Sequence, residues 1–327
     1  MKAISIKKPG GSEQLEIQER PVPSLEEGEL LIKVQASAIN RTDTLTRENK
    51  QLSKPYPILG VEVAGIVVDS NLADEKIAIG TRVAGLVNHG GYAEYVAMPA
   101  DRVFHMPDTM SFEEAAAIPE VFLTAYQTLY WLGKLKQGET VLIHAGASGV
   151  GTAAIQLAKK MTKANVIVTA GSEEKLEFCK ELGADKGINY KKEDFAKEVL
   201  DYTQNKGVDL ILDFIGASYW DQNVASIKTD GRWILIGTLG GTIVEKVNLG
   251  VFLQKRIAIQ GTLLTPRSDQ YKAELTNEFV KKVMPYFENN SIKPIIDTTF
   301  SFGDVTSAHL HMEENKNTGK IILSIQE

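Results

Sequence analysis

The rhythm of apolar and polar residues changes along this chain, and each rhythm predicts its own kind of element. Over the first 120 residues the period is two. Lys2–Ile6 and Leu15–Glu19 alternate, residues 29–34 make a stronger strand after the turn at Glu27 and Gly28, and residues 60–68 form an apolar strand with one acid, Glu62, in its midst. Residues 80–85 and 90–96 add glycine-punctuated strands, residues 40–47 predict one or two polar helical turns, and Pro55 and Pro57 break the chain between. So many short strands with Gly and Pro turns predict a barrel-like β domain.

From Ser111 the period becomes 3.6. Ser111 and Glu114 have the spacing of a capping box before Ala115, Ala116 and Ala117; Pro119 interrupts, and residues 123–132 resume as a helix. Strands and helices then alternate. Residues 141–143, 166–170, Val208–Asp213, 233–237 and 257–261 read as buried strands. Between them lie helices, one capped by Ser172 with Leu176, Cys179 and Leu182 on a single face and Gly183 at its end. This alternation predicts an α/β fold with a doubly wound parallel sheet. After residue 265 come a helix carrying Leu275, Phe279 and Val283, a strand near Ile295, a helix through Ala308 and Met312, and a strand over 320–325 that returns to the β domain.

One stretch organises the rest. VLIHAGASGVGTAAIQLAKK, residues 141–160, is strand, glycine-rich turn and helix in immediate succession. In the turn Gly146, Ala147, Ser148, Gly149, Val150 and Gly151, small residues let the backbone approach a pyrophosphate, and the helix N-terminus offers unpaired N–H groups and positive dipole. The pattern departs from G-x-G-x-x-G in having Ser148 at the middle glycine, so part of the phosphate contact falls to a hydroxyl. Gly151 lets the helix lie close on the sheet.

Composition narrows the function classes. With 327 residues there is room for two domains, each with a core. A net charge of −6 without a long Lys/Arg cluster speaks against a nucleic-acid or anionic-membrane surface. The N-terminus lacks a signal-peptide apolar segment and no apolar run reaches spanning length, so a soluble cytoplasmic protein is expected. A single cysteine, Cys179, excludes an internal disulfide and any multi-cysteine zinc site, and its helical position reads as core. The five histidines show no metal spacing: His309 and His311 point apart on a helix, and His144 reads as packing beneath the glycine turn.

Several motifs carry a family likeness. GVEVAGIV, the glycine turn and the terminal KIILSIQE resemble the medium-chain dehydrogenase/reductase superfamily, and NYKKEDF, LILDFIGASYW, DGRWILIG and MEENKNTGKIIL are similar to its quinone oxidoreductase branch. The resemblance implies a GroES-like catalytic domain over 1–120, a Rossmann NADPH-binding domain over 121–264, and a return to the catalytic domain over 265–327. Zinc-dependent members hold their metal with a Cys and a His-Glu pair; the matching positions here are Asn40 and Val61-Glu62, and a carboxamide and a valine do not replace thiolate and imidazole. No metal is therefore expected.

In NAD-preferring proteins an acid ends the second strand and binds the ribose hydroxyls. Ala170 stands there in this sequence, followed by Gly171, Ser172 and Lys175 as donors, and the resemblance adds Tyr190 beside the adenosine phosphate. NADPH is the expected cofactor, with Glu173 and Glu174 opposing and Lys175 also readable as a solvated helix lysine. The resemblance further places Asn40, Asp43, Thr124 and the loop of Gly237, Thr238, Leu239 and Gly240 around nicotinamide and substrate. It puts the backbone near Leu263 and Leu264 on the carboxamide, and Asn317 and Lys320 toward the pyrophosphate. Asn40 is either a donor to a carbonyl oxygen gaining charge or a loop cap; Asp43 is a turn former or a proton donor; Lys320 is also readable as an exposed strand-end lysine. Gln51 stands where relatives carry a tyrosine, the nearest being Tyr56, which affects substrate range.

The activity implied is zinc-independent reduction of quinones by direct hydride transfer from NADPH. The alternatives are reduction of an activated C=C bond in enones or alkenals, and a low-turnover NADPH-binding sensor or structural protein. Residues 257–261 read as an exposed sheet edge, for which a homodimer through the dinucleotide sheets is expected.

Overall fold

The computed structural model describes residues 1–73 and 76–325. The chain divides into two compact units, Met1–Leu123 with Thr265–Glu327, and Thr124–Leu264. In the first, β1 (Lys2–Ile6) and β2 (Leu15–Glu19) pair antiparallel. The eleven-residue β3 (Glu29–Ile39) is followed at once by α1 (Arg41–Glu48), then β4 (Glu62–Ser70), β5 (Arg82–Leu86), β6 (Tyr95–Pro99) and β7 (Val103–His105). The helix α2 (Phe112–Ala116) has the expected box, with Glu114 N donating to Ser111 Oγ at 3.1 Å and Ser111 N to Glu114 Oε2 at 2.9 Å. The helical run breaks at Ala117 and Ile118, directly before Pro119, which then starts α3 (Pro119–Tyr126), where a missing N–H is harmless.

The second unit holds β8 (Thr140–Ile143), α4 (Gly149–Thr162), β9 (Asn165–Ala170), α5 (Glu173–Glu181), β10 (Lys186–Asn189), α6 (Phe195–Tyr202), β11 (Val208–Asp213), α7 (Trp220–Ser226), β12 (Ile227–Leu235), α8 (Gly250–Lys255) and β13 (Ala258–Gly261). The sheet is wholly parallel, in the order β10-β9-β8-β11-β12-β13. Its order reverses beside β8, the switch point at which open α/β sheets bind ligands beyond the strands' carboxyl ends. Leu142, Ile167, Ile211, Val208 and Trp233 are buried together against Phe195 and Val199 of α6. Cys179 is buried, and loss of solvent pushes its thiol up to about 12, as suits a core residue.

The chain then supplies α9 (Asp269–Glu288), β14 (Ile296–Ser301), α10 (Val305–Glu313) and β15 (Lys320–Ser324) to the first unit. The seven-stranded sheet runs β14-β15-β3-β4-β5-β7, with β6 also on β3. The final strand thus returns to the β-rich unit, pairing Ile321 with Ile39 and Ile322 with Ala38. That register sets Lys320 beside Asn40, the residue between β3 and α1.

Candidate active site and cofactor-binding turn

The glycine turn is built from close approaches. Ala145 adopts a left-handed φ of 50°, and Gly146 N donates to Thr169 O on β9 at 2.9 Å. A Cβ on Gly146 would come within 2.8 Å of Val168 Cβ, so only glycine lets the turn rest on β9. A Cβ on Gly151 would run into the carbonyls of Ala145 and Gly146. Its nearest neighbours are thus the backbone of the turn that directly follows β8. Ser148 is the N-cap of α4, its Oγ accepting from Gly151 N at 3.1 Å. The hydroxyl proton stays available to an anion, as do the Gly149 and Val150 amides, the first of the helix, which have no intrahelical acceptor. Ala147 is buried behind them.

At the end of β9, Ala170 is buried and its carbonyl accepts from Tyr190 N at 3.3 Å. A Cβ on Gly171 would lie 2.9 Å from the Tyr190 hydroxyl, so that ring borders Gly171 directly. Ser172 caps α5 through Lys175 N at 3.3 Å, which puts the Lys175 side chain in the helix's first turn. Glu173, which opposed a phosphate on sequence grounds, has another partner. Asn189 Nδ2 donates to it at 2.8 Å and Lys192 Nζ at 3.1 Å, and these bonds, the amide first, hold its carboxyl below the usual range. Gly171, Ser172, Lys175 and Tyr190 therefore gather at one end of the sheet. Gly237, Leu239 and Leu263 follow the carboxyl ends of β12 and β13, on the same edge of the sheet as the glycine turn, with the Leu239 and Leu263 side chains exposed.

In the first unit Asn40 and Asp43 come together with residues the sequence reading gave no role. Asp43, buried, accepts from Asn40 N at 2.8 Å, Gly60 N at 3.0 Å and the Tyr92 hydroxyl at 3.0 Å. Burial pushes its carboxyl up to about 6, against the pull of those bonds. This geometry supports the turn-forming reading of Asp43: it ties α1 to the strands. Glu62, wholly buried, accepts from Asn40 Nδ2 at 2.8 Å, Lys320 Nζ at 2.7 Å and, on its other oxygen, Glu120 N at 2.7 Å.

Two expectations are corrected here. Lys320 is neither exposed nor extended toward a phosphate: its ammonium is buried and donates to Glu62 Oε1 at 2.7 Å, Asn40 Oδ1 at 2.7 Å and Ile39 O at 3.2 Å, which uses all its protons. Asn40 has no amide hydrogen left for a substrate carbonyl, since Nδ2 also donates to Ala38 O at 3.2 Å. Asn317 donates to Gly319 O at 2.8 Å, within the turn before β15. Thr124 is buried in α3 and falls in the other unit. The available signal for Glu62 was a charge inside an apolar strand; Tyr92 gave none.

Residues 26–108 match the family described as alcohol dehydrogenase GroES-like domain, and residues 149–281 the family described as zinc-binding dehydrogenase. The chain is 32% identical over 335 residues to the synaptic vesicle membrane protein VAT-1 homolog of Mus musculus, covering 96% of this chain and 81% of that one. It belongs to the medium-chain dehydrogenase/reductase superfamily. Two solved members share its architecture. The Escherichia coli quinone oxidoreductase complexed with NADPH superposes with a TM-score of 0.90 at 28% identity, covering 99% of this chain and 100% of that one. The CurK enoyl reductase gives 0.89 at 27% identity, with 99% of each covered.

For a medium-chain dehydrogenase/reductase the donor set between β3 and β4 does not fit a catalytic zinc. The Glu62 carboxylate is already matched by the Lys320 ammonium, Asp43 is taken up by the Asn40 and Gly60 amides and the Tyr92 hydroxyl, the Asn40 carboxamide is spent on Glu62 and Lys320, and Val61 is apolar. Among the described residues no group of three or more His, Cys, Asp or Glu side chains is placed to hold a metal ion.

Proposed function

We propose that this medium-chain oxidoreductase reduces quinones with NADPH by direct hydride transfer, without zinc. The observation that carries the reading is the end of β9, where Ala170 stands in place of a ribose-binding acid, Tyr190 borders Gly171, and Ser172 and Lys175 follow in the cap and first turn of α5. A 2′-phosphate meets donors there, and Glu173 is already matched by Asn189 and Lys192. The likeness to a quinone oxidoreductase complexed with NADPH supports both cofactor and acceptor. NADPH supplies the hydride when bound. The chain's part is to hold it: the Gly149 and Val150 amides and the Ser148 hydroxyl take the pyrophosphate, and Lys175 and Tyr190 the 2′-phosphate. A quinone is electron-poor enough to accept hydride without metal polarisation, so alignment of two planar partners carries most of the work. The reduced quinone then takes one proton from solvent to give the hydroquinone.

A second reading is reduction of an activated C=C bond, supported by the likeness to an enoyl reductase. The protein is further proposed to be a cytoplasmic homodimer. No helix among the described residues is long and apolar enough to cross a membrane. β13 is a sheet edge with exposed Leu249, Leu253 and Leu263 in the flanking segments, a surface suited to a second copy.

Steady-state NADPH oxidation with an ortho-quinone, a para-quinone and a small enone, with and without chelator, tests the reading. Turnover on a quinone, unchanged by chelator, is the expected result. Turnover on the enone alone would favour the second reading. Chelator-sensitive rates with about one equivalent of zinc would refute metal independence, and tight NADPH binding with no turnover would leave a nucleotide sensor.

A further inference from the structure

Asp213, the last residue of β11, is a wholly buried carboxylate whose partners among the described residues are neutral N–H groups. Oδ1 accepts from the amides of Ile215 at 2.7 Å and Gly216 at 3.1 Å; Oδ2 accepts from Trp233 Nε1 at 3.0 Å and Asn223 Nδ2 at 3.2 Å. A buried charge without a cation is tolerated only when its oxygens are fully engaged, and here the donors come from the loop after β11, from β12 and from α7. The Asp213 carbonyl adds Ile236 N at 2.7 Å and Gly237 N at 3.3 Å. One residue thus fixes the start of both loops at the carboxyl edge of β11 and β12.

Those loops are laced to each other. Leu239 N donates to Phe214 O at 3.1 Å, Gly240 N to Ile215 O at 2.7 Å and Ala217 N to Gly241 O at 3.0 Å. Gly216 makes the crossing with φ 80°, where a Cβ would stand 2.8 Å from Gly241 O.

From Asp213 a hydrogen-bond chain runs back to the glycine turn. Asn223 spends an amide hydrogen on Asp213, so its oxygen faces His144 Nε2 at 2.7 Å. His144 must then carry its proton on Nε2 and accept at Nδ1 from the Thr169 hydroxyl, 3.0 Å away. The ring is buried, clamped edge-on by Phe195 and Tyr219, and desolvation keeps it neutral. Thr169 closes the path, its carbonyl accepting from Gly146 N. Thr169 to His144 to Asn223 to Asp213 is a chain of fixed direction beneath the sheet's carboxyl edge.

We propose that Asp213 is a positioning residue for the dinucleotide, acting through Asn223 and His144 to hold the 214–218 and 237–241 loops in register with the glycine turn. The proposal rests on the NADPH reading, and it divides the cofactor in two. The phosphorylated adenosine end has its own anchors, the Ser172 cap and the Tyr190–Ala170 bond, whereas the far half depends on loops that the Asp213 chain ties to the turn.

The test compares binding of intact NADPH with binding of its fragment 2′,5′-ADP, by calorimetry on the full-length protein. Asp213→Asn points an NH2 group at donors on one side or the other. Asn223→Ala cuts the chain in the middle and serves if the first variant fails to fold. Each is expected to weaken NADPH at least tenfold and lower kcat, while 2′,5′-ADP stays within twofold of wild type. A residue that merely stabilises the fold would lower the melting temperature and leave the ratio of the two affinities unchanged. Equal losses on both ligands, or no loss on either, would overturn the positioning role. A wild-type protein binding neither ligand would overturn the NADPH reading itself.

Discussion

The Lys320 ammonium lies 2.7 Å from Glu62 Oε1, and both side chains are buried, in residues 258 positions apart. The pair joins the start of β15 to the start of β4, and Asn40, bonded to both, draws in the end of β3. Three segments distant in sequence are thus fixed by one ion pair and one carboxamide.

Removing one partner strands the other's charge. Glu62→Gln or Lys320→Met alone is expected to lower stability by about 3–5 kcal/mol in urea unfolding. The double variant, which leaves no orphaned charge, should lose clearly less than the sum of the two. Simple additivity would show that the pair is not coupled.

Cofactor choice is expected to follow the end of β9. A charge-assisted bond from Lys175 to a 2′-phosphate contributes roughly 1.5–3 kcal/mol, or about one to two powers of ten in affinity. Lys175→Ala should raise KM for NADPH about tenfold or more and leave KM for NADH nearly unchanged. Ala170→Asp should favour NADH, by gaining ribose contacts and repelling the phosphate. Equal effects on both cofactors would reduce the lysine to a structural role.

Two buried groups in the first unit give opposite pH dependences. Asp43 is pushed up to about 6 by burial, so its contribution is fully present below the ordinary aspartate range and lost as pH rises through 6. His309 is pushed down to about 3 by burial and by Arg47, whose Nη1 lies 3.0 Å from its Nδ1. Its contribution is present above about 6.5 and lost as pH falls toward 3. Relative to wild type, Asp43→Asn should therefore be most destabilising at acid pH, and His309→Gln most destabilising at neutral pH. Chemical denaturation of the three proteins between pH 4 and 8 checks both signs.

Assembly is expected to depend on β13. Wild type should sediment as a dimer at micromolar concentration. Ile259→Lys, which places a charge on the edge strand, should shift it to monomer with its far-ultraviolet circular dichroism unchanged. A monomeric wild type would refute the dimer.

How much of this could be read along the chain follows from the range of each interaction. The parallel sheet was legible because strands covered on both faces leave unbroken apolar runs, as Val141, Leu142 and Ile143 do, and the turn because only small residues fit at Gly146 and Gly151. The place of Ala170 at the end of a strand was legible too. By contrast β10 and α6 gave no expected element. Lys186–Asn189 is four residues long with a lysine and a glycine, too short for a period to declare itself.

The sequence by itself determined the alternation of elements, the glycine turn between β8 and α4, and the absence of thiolate and imidazole ligands at Asn40 and Val61. Only the tertiary structure decided what the buried charges do. Lys320 reads equally well as a surface lysine or a phosphate ligand until the register of β15 on β3 sets it beside Asn40 and Glu62. Asp213 reads as the polar end of a strand until α7 brings Asn223, and through it His144, into contact. Periodicity and capping are written in neighbours three or four residues apart, whereas a buried charge is matched by whatever the fold brings to it, and no local pattern encodes that partner.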